Sequence, residues 1–351
     1  METINVNASS SYKVIIENNI LGKVGELSAK EIGVSSAVVI TDSTVDKLYS
    51  KTLIQSLESA GYKTSTFVFK AGEQSKNANT LVDILEFLAD SGITRSDCVF
   101  ALGGGVVGDI AGFASAIYLR GIRFVQIPTT LLAMVDSSIG GKTGIDLAAG
   151  KNLAGAFHQP SLVICDPSLL ATLTLETFAD GCAEVIKYSI INDAELFELI
   201  SSGVKENITQ IIAACVKNKC HIVEKDEFDN GTRQLLNLGH TVGHAIEMCS
   251  NFEISHGSAV AIGIVVVTRS ALKSGLCETR TLEKIIEILK HNNLPTTCDF
   301  TAKQLTEVAL SDKKRKGDTI TLAVPYNIGD TKLLSINVAK LEFFIERGLN
   351  Q

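Results

Sequence analysis

Short apolar runs alternate with longer amphipathic segments through the first half of the chain. The runs have the length of strands and lie at residues 12–17, 37–41, 64–69, 98–102, 123–127 and 162–165, of which the first alternates like an edge strand. Between them, residues 44–60 and 79–90 repeat their apolar positions at helical spacing. Strands that alternate with helices of this length predict a mostly parallel sheet.

The pattern changes after residue 166. From residue 175 to 310 apolar positions recur mainly at helical spacing, and only a short strand near 319–324 and a last helix near 338–347 follow. We therefore predict an α/β, Rossmann-like domain over residues 1–170 and a mainly α-helical domain over residues 171–351.

Composition and charge narrow the class of protein. A chain of 351 residues is long for a single core, which agrees with two domains. The net charge of −7 argues against a nucleic acid as the main partner. No apolar run approaches the roughly 20 residues that span a bilayer, and no signal peptide is visible. Eight cysteines without a CxxC pair indicate free thiols, so we expect a cytoplasmic protein that binds neither membrane nor nucleic acid.

Two segments rich in glycine or threonine follow predicted strands, and a third glycine-rich segment with a lysine comes after them. Residues 103–109 read GGGVVGD, residues 128–130 read PTT, and residues 140–144 read GGKTG. Glycine lets backbone N–H groups approach phosphates closely, so these segments predict a nucleotide site and a second anion site. Asp42 ends an earlier strand, where it either accepts a ribose hydroxyl or caps the next helix.

Three histidines lie close together in the sequence. His240 and His244 are four residues apart, so a helix would present both on one face, and His256 follows nearby. The set is typical of a Zn²⁺ or similar divalent site, and histidines bonded within a helical core would give the same spacing. Glu184 stands in an apolar segment, where it either binds the metal or pairs with Lys187, three residues on.

Several cations stand in apolar or glycine-rich surroundings. They are Arg120, Lys142, Lys151, Lys187, Lys219, Arg233 and the run at residues 313–316. Isolated lysines within glycine-rich loops favour anion binding, whereas a charge run is more typical of a solvated loop. Their spacing alone does not establish that they converge on one site.

Together these segments closely resemble the 3-dehydroquinate synthase family. The resemblance is carried by AGEQSK, GGGVVGDIAGF, YLRGIRFVQIPTTLLAMVDSSIGGKTGID, GKNLAGAFHQP, AEVIKYSII, LLNLGHTVGHAIE and HGSAVAIG, between residues 71 and 263. It implies an NAD⁺-binding first domain and a metal- and substrate-binding second domain. The implied substrate is a small phosphorylated sugar acid, 3-deoxy-D-arabino-heptulosonate 7-phosphate. Transient oxidation by NAD⁺, phosphate elimination, reduction, ring opening and aldol closure would convert it to 3-dehydroquinate.

The resemblance also implies roles for individual residues. Zn²⁺ or Co²⁺ would bind Glu184, His240 and His256. NAD⁺ would contact Asp42, Glu73, Gln74, Ser75, Lys76, Gly104, Gly105, Val106, Val107, Gly108, Asp109, Thr129, Thr130, Lys142, Lys151, Leu169, Leu170, Ala171 and Thr172. The catalytic residues would be His244, Asp136, Lys142 and Lys187, and the substrate would meet Arg120, Asn152, Lys219, Arg233, Asn237 and a lysine of the pair Lys313 and Lys314. Arg120 would reach the neighbouring subunit's site, which implies a homodimer.

Three positions depart from the family pattern. Ser258 stands where a glutamate often follows the third metal ligand, Phe228 replaces a basic residue, and Thr177 replaces a glutamate.

Three other functions share parts of the family pattern. A polyol dehydrogenase of the glycerol dehydrogenase type would share the two-domain plan but release NADH in each turnover. Another sugar-phosphate cyclase would form a different carbocycle, and a non-catalytic nucleotide-binding subunit would not turn over.

Overall fold

The chain divides into two compact units. A computed structural model describes residues 1–311 and 318–349, so the predicted substrate lysines Lys313 and Lys314 lie outside the described residues. The first unit comprises Met1–Leu173 and Lys219–Glu227, and the second comprises Thr174–Asn218 and Phe228–Gln351.

The first unit is built on a seven-stranded sheet. Its elements are β1 (Glu2–Val6), β2 (Tyr12–Ile16), α1 (Val24–Ile32), β3 (Ser36–Asp42), α2 (Lys51–Ser59), β4 (Lys63–Phe69), α3 (Ala78–Asp90), β5 (Cys98–Gly103), α4 (Gly105–Ile117), β6 (Arg123–Pro128), β7 (Lys142–Leu147), β8 (Gly150–Phe157) and β9 (Leu162–Cys165). The strand order is β1-β2-β9-β6-β5-β3-β4, and β7 and β8 form a separate antiparallel hairpin. All pairings in the large sheet are parallel except β1 with β2, which confirms the predicted parallel sheet.

Burial explains why the central strands could be predicted from the sequence. Strands β5 and β9 are buried along their whole length, because helices cover both faces of a parallel sheet and leave an uninterrupted apolar run. Helices α3 and α4 contribute Ile84, Leu88 and Ile110 to a core that also holds Val99 and Phe124.

Two expectations for this unit were wrong. Residues 12–17 were expected at a sheet edge, but β2 pairs with both β1 and β9, because β1 is a short strand whose burial alternates too briefly to stand out. The glycine-rich segment at 140–144 was expected to be a loop, yet Lys142–Leu147 is a strand of the hairpin. Its glycines let the strands approach: a Cβ on Gly155 would lie 2.1 Å from the Thr143 carbonyl oxygen.

The second unit is mainly helical, as predicted. Its elements are α5 (Leu175–Asn192), α6 (Ala194–Ser201), α7 (Ile208–Lys225, whose last residues belong to the first unit), α8 (His240–Cys249), α9 (His256–Lys273), α10 (Thr279–His291), α11 (Ala302–Ser311), β10 (Thr319–Asn327), β11 (Asp330–Asn337) and α12 (Leu341–Gly348). Strands β10 and β11 form an antiparallel hairpin. The apolar pattern does not predict β11, because most of its side chains are exposed or half-buried. Among the described helices, none combines the length and the apolarity needed to cross a membrane.

Candidate active site

The three predicted metal ligands meet in the second unit. Glu184 lies within α5, His240 begins α8 and His256 begins α9. One potential ligand atom from each lies within 4.8 Å of the other two. The Oε1 atom of Glu184 is 3.5 Å from His240 Nε2 and 3.3 Å from His256 Nε2. The histidines predicted to share one site are therefore brought together with the carboxylate.

The opposite nitrogens of the two imidazoles are held by acceptors. His240 Nδ1 lies 3.1 Å from the Leu238 carbonyl oxygen, and His256 Nδ1 lies 3.2 Å from Glu247 Oε2. A proton on Nδ1 in each ring leaves Nε2 as the ligand atom, which is the usual arrangement around a protein-bound metal. Burial works to lower the pKa of His256, but Glu184 and Glu247 beside it raise that pKa to about 10.

The burial of Glu184 tests whether a metal fits these residues. Its side chain is 1% exposed and forms an ion pair with Lys187, which is equally buried. Lys187 meets Oε2 of this carboxylate, whereas Oε1 faces the Nε2 atoms of both imidazoles at 3.5 and 3.3 Å. One carboxylate and two imidazoles with an open fourth position form a donor set that suits catalytic zinc, so the residues fit the ion.

Close helix contacts bring these ligands together. Helices α8 and α9 approach at glycines: a Cβ on Gly263 would lie 2.1 Å from the Gly239 carbonyl oxygen, and one on Gly243 would lie 3.1 Å from that of Ala259. Gly239 has a φ of +77° and directly precedes His240. A side chain at any of these positions would separate the helices that carry the two histidines.

His244 lies beside the predicted metal ligands. Its ring centroid is 5.4 Å from that of His240 and 6.0 Å from that of His256. His244, Glu247 and His256 also form a second group whose ligand atoms lie within 4.8 Å of one another. The motif LLNLGHTVGHAIE ends at Glu247, for which the sequence predicts no role; its position seven residues after His240, on the same helix face, is the available signal.

In the first unit, the predicted nucleotide loop leads from β5 into α4. Gly104 is the N-cap of α4, so the first N–H groups of the helix provide an anion-binding terminus. Two of the other glycines have packing roles: a Cβ on Gly103 would lie 2.4 Å from Val107, and one on Gly108 would lie 2.6 Å from Gln126. Thr130 packs against Gly104, where a Cβ would come within 3.0 Å of its methyl group.

Lys76 binds two other residues that are predicted to serve the cofactor or substrate. Its ammonium group donates to Asp109 Oδ2 at 2.6 Å and to Asn152 Oδ1 at 2.5 Å. Burial works to lower the pKa of Lys76, but Asp109 and Glu73 raise it overall. Burial raises the pKa of Asp109, against the opposing effect of Lys76. The segment at 73–76 and the hairpin β7–β8 therefore form one connected polar cluster with the start of α4.

Two further predicted residues of this unit interact directly. Lys219 donates to the carbonyl oxygen of Asp136 at 2.6 Å and forms an ion pair with its carboxylate. Asp136 lies in a π-helical turn, Ala133–Ser137, a geometry that frees carbonyl groups from the helix and is frequent at functional sites.

The other predicted residues take varied positions. Asp42 Oδ1 accepts the N–H groups of Thr44 and Val45 in the turn that precedes the π-helical segment Asp46–Ser50, whose N-cap is Val45. Arg120 is exposed with a φ of +68°, and Lys142 is exposed at the start of β7. Arg233 is 2% exposed. The remaining positions are Lys151 in β8, Thr129 after β6, Leu169 to Thr172 in the 3₁₀ helix Pro167–Thr172, and Asn237 at the end of the 3₁₀ helix Thr232–Asn237.

Comparisons with known proteins cover both units. The family description "3-dehydroquinate synthase N-terminal" matches residues 66–180, and "3-dehydroquinate synthase C-terminal" matches residues 181–315. The 3-dehydroquinate synthase of Clostridium acetobutylicum is 44% identical over 338 residues, which cover 94% of this chain and 95% of that protein. The 3-dehydroquinate synthase of Streptococcus gordonii is 42% identical over 353 residues, with 98% and 99% covered. A solved 2-epi-5-epi-valiolone synthase from Streptomyces hygroscopicus, with NAD⁺ and Zn²⁺ bound, has a TM-score of 0.88 at 26% identity, covering 97% of this chain and 98% of its own.

Proposed function

This chain belongs to the 3-dehydroquinate synthase family, as its motifs predicted, and from that premise we propose that it converts 3-deoxy-D-arabino-heptulosonate 7-phosphate to 3-dehydroquinate and phosphate. NAD⁺ and Zn²⁺ or Co²⁺ are the proposed cofactors. Bound NAD⁺ supplies reversible hydride transfer, and the bound metal supplies polarisation of a substrate oxygen.

One observation carries the proposal: Glu184, His240 and His256 converge with their ligand atoms within 4.8 Å of one another. We assign these three side chains to the metal. His244 stands beside two of them, with ring centroids 5.4 and 6.0 Å away, and histidine is the side chain that most often transfers protons in catalysis. We assign it a proton-transfer role, together with Asp136. If His244 transfers a proton without binding the metal, His244→Ala should lower turnover and leave the metal content unchanged.

The remaining assignments are supported by charge and family membership. We propose that NAD⁺ is held by the α4 terminus and the Lys76 cluster, with the other cofactor residues named from the resemblance. Lys142, Asn152, Lys187, Lys219, Arg233 and Asn237 are the proposed substrate contacts. We also propose a homodimer in which Arg120 serves the neighbouring subunit's site; its exposure on the protomer suits that role. Domain boundaries at 1–170 and 171–351 remain part of this proposal.

A product assay tests the function. Purified protein would be incubated with the heptulosonate phosphate, NAD⁺ in catalytic amount and Zn²⁺, and the products would be identified by NMR. We expect 3-dehydroquinate, with one phosphate released per substrate and no net NADH. NADH formed in step with product would indicate a polyol dehydrogenase, and another carbocycle would indicate a different sugar-phosphate cyclase. Either result would refute the proposal, as would the absence of turnover in protein shown to bind both cofactors.

A further inference from the structure

The helix that carries His256 does not cap itself. Ser255 is the N-cap residue of α9, with φ −64° and ψ 159°, and within the described chain its side chain makes no capping hydrogen bond to that helix. A capping box would place Glu or Gln three residues later, but Ser258 stands there. The first turn of α9 therefore needs an acceptor from elsewhere for its N–H groups.

Asp180, on the metal-bearing helix α5, supplies that acceptor. Its Oδ1 atom accepts the Ser258 N–H at 3.2 Å and the Ser255 hydroxyl at 2.5 Å. The Ser255 hydroxyl is in turn 2.9 Å from Ser258 Oγ. Because Ser255 and Ser258 lie on either side of His256, these bonds restrain the backbone that positions its imidazole.

The same residue also lies on the Glu184 side of the site. Asp180 is four residues before Glu184, so both occupy one face of α5. The two helices touch here at the backbone, because a Cβ on Gly257 would lie 2.4 Å from Asp180 Cα. Any loosening of this contact changes the separation between Glu184 and His256.

From this arrangement we propose that Asp180 is a positioning residue for the metal site. It caps α9 from the neighbouring helix and thereby fixes His256 relative to Glu184. The inference rests on the proposed metal-binding function. It assigns a role to Asp180 that neither the sequence motifs nor the ligand set requires, and it explains how α9 begins without a glutamate at position 258.

Zinc affinity of the metal-free protein tests the proposal. Asp180→Ala should weaken Zn²⁺ binding about 10-fold, within the range seen when supporting groups of metal ligands are removed. Competition with a chromophoric chelator measures this affinity, and the ligand-field spectrum of the Co²⁺-loaded protein should change as well. Asp180→Asn keeps an oxygen acceptor and should retain most of the affinity.

A double variant and a matched control separate positioning from general stability. Asp180→Ala combined with Ser258→Glu creates a capping box with Ser255 and should recover the affinity. Asp193→Ala removes another helix-capping aspartate of the same unit, which accepts the Leu196 N–H at 2.9 Å. This control should lose a similar amount of thermal stability while its zinc affinity stays unchanged.

The outcomes that would overturn the proposal are distinct from failure of the proposed function. Unchanged zinc affinity in Asp180→Ala, or equal weakening in Asp193→Ala, would refute the positioning role. If Asp180→Ala does not fold, the double variant decides: recovered wild-type affinity supports the role, and weak binding by the folded double variant refutes it. Wild-type protein that binds no zinc would instead refute the assignment of the metal site.

Discussion

The glycine contact between α8 and α9 makes a demanding prediction, because it tests the fold and the site together. In Gly263→Ala the new methyl carbon would lie 2.1 Å from the Gly239 carbonyl oxygen and 3.0 Å from the Gly243 nitrogen. Both are backbone atoms, so no side-chain rotation can relieve the clash. The helices must instead separate by about 1 Å for the methyl group to fit.

The size of the effect follows from two opposing contributions. Overpacking a tight contact costs about 1–3 kcal/mol, whereas replacing glycine by alanine inside a helix gains about 1 kcal/mol. Because backbone meets backbone here, we expect the upper part of the cost and a net loss of about 2 kcal/mol in the free energy of unfolding. His240 follows Gly239 directly, and a metal site tolerates shifts of only about 0.2 Å, so zinc affinity should fall about 10-fold or more.

Thermal unfolding and chelator competition measure the two effects. The matched control is Gly22→Ala, since no described atom lies within 4 Å of a Cβ built there. That substitution should leave stability unchanged or raise it by up to about 1 kcal/mol, with wild-type zinc affinity. Gly263→Ala protein that unfolds at the wild-type temperature and binds zinc as tightly would show that the helix approach is unimportant for the site.

Two further predictions concern single side chains. Glu247→Gln removes the charge that holds His256 Nδ1 at 3.2 Å, so zinc affinity in the chelator assay should fall about 10- to 100-fold, and an unchanged affinity would contradict this orienting role. Burial lowers the pKa of His158 below its usual value, so the unfolded chain binds the proton more readily and stability should fall as the pH drops through about 6.5. His158→Gln should lose less thermal stability than wild type between about pH 7.5 and 5.5; equal losses in both proteins would contradict this contribution.

The strands that the sequence predicted best are those buried along their whole length. Strand β9 was predicted over its full extent because all of its residues are buried. Strand β11 was missed because most of its positions are at least partly exposed, and β8 was missed because all of its residues are half-buried or exposed. Local apolar periodicity reports burial, and it fails where a strand is stabilised mainly by its hairpin partner.

The candidate site was likewise predicted only in part from the sequence. The spacing of the three histidines suggested a metal but agreed equally with histidines bonded in a helical core, and only the resemblance singled out His240 and His256 as ligands. Glu247 was signalled only by the helix face that it shares with His240, whereas the role of Asp180 could not be predicted, because it depends on which helix lies beside it. That neighbourhood is set by glycine contacts such as Gly257 on Asp180, and a glycine in a sequence does not identify its partner.

The sequence left open whether Glu184 binds a metal or pairs with Lys187, and the geometry makes the two alternatives compatible. The ammonium group of Lys187 approaches Oε2 of the carboxylate, whereas both imidazole Nε2 atoms face Oε1. The lysine therefore stabilises one oxygen of a carboxylate that is 1% exposed, and the other oxygen stays directed at the proposed metal position. A buried anion held on one side by a fixed cation needs less compensation from the ion on the other side. The ion pair is thus a support for the proposed metal site and no longer an argument against it.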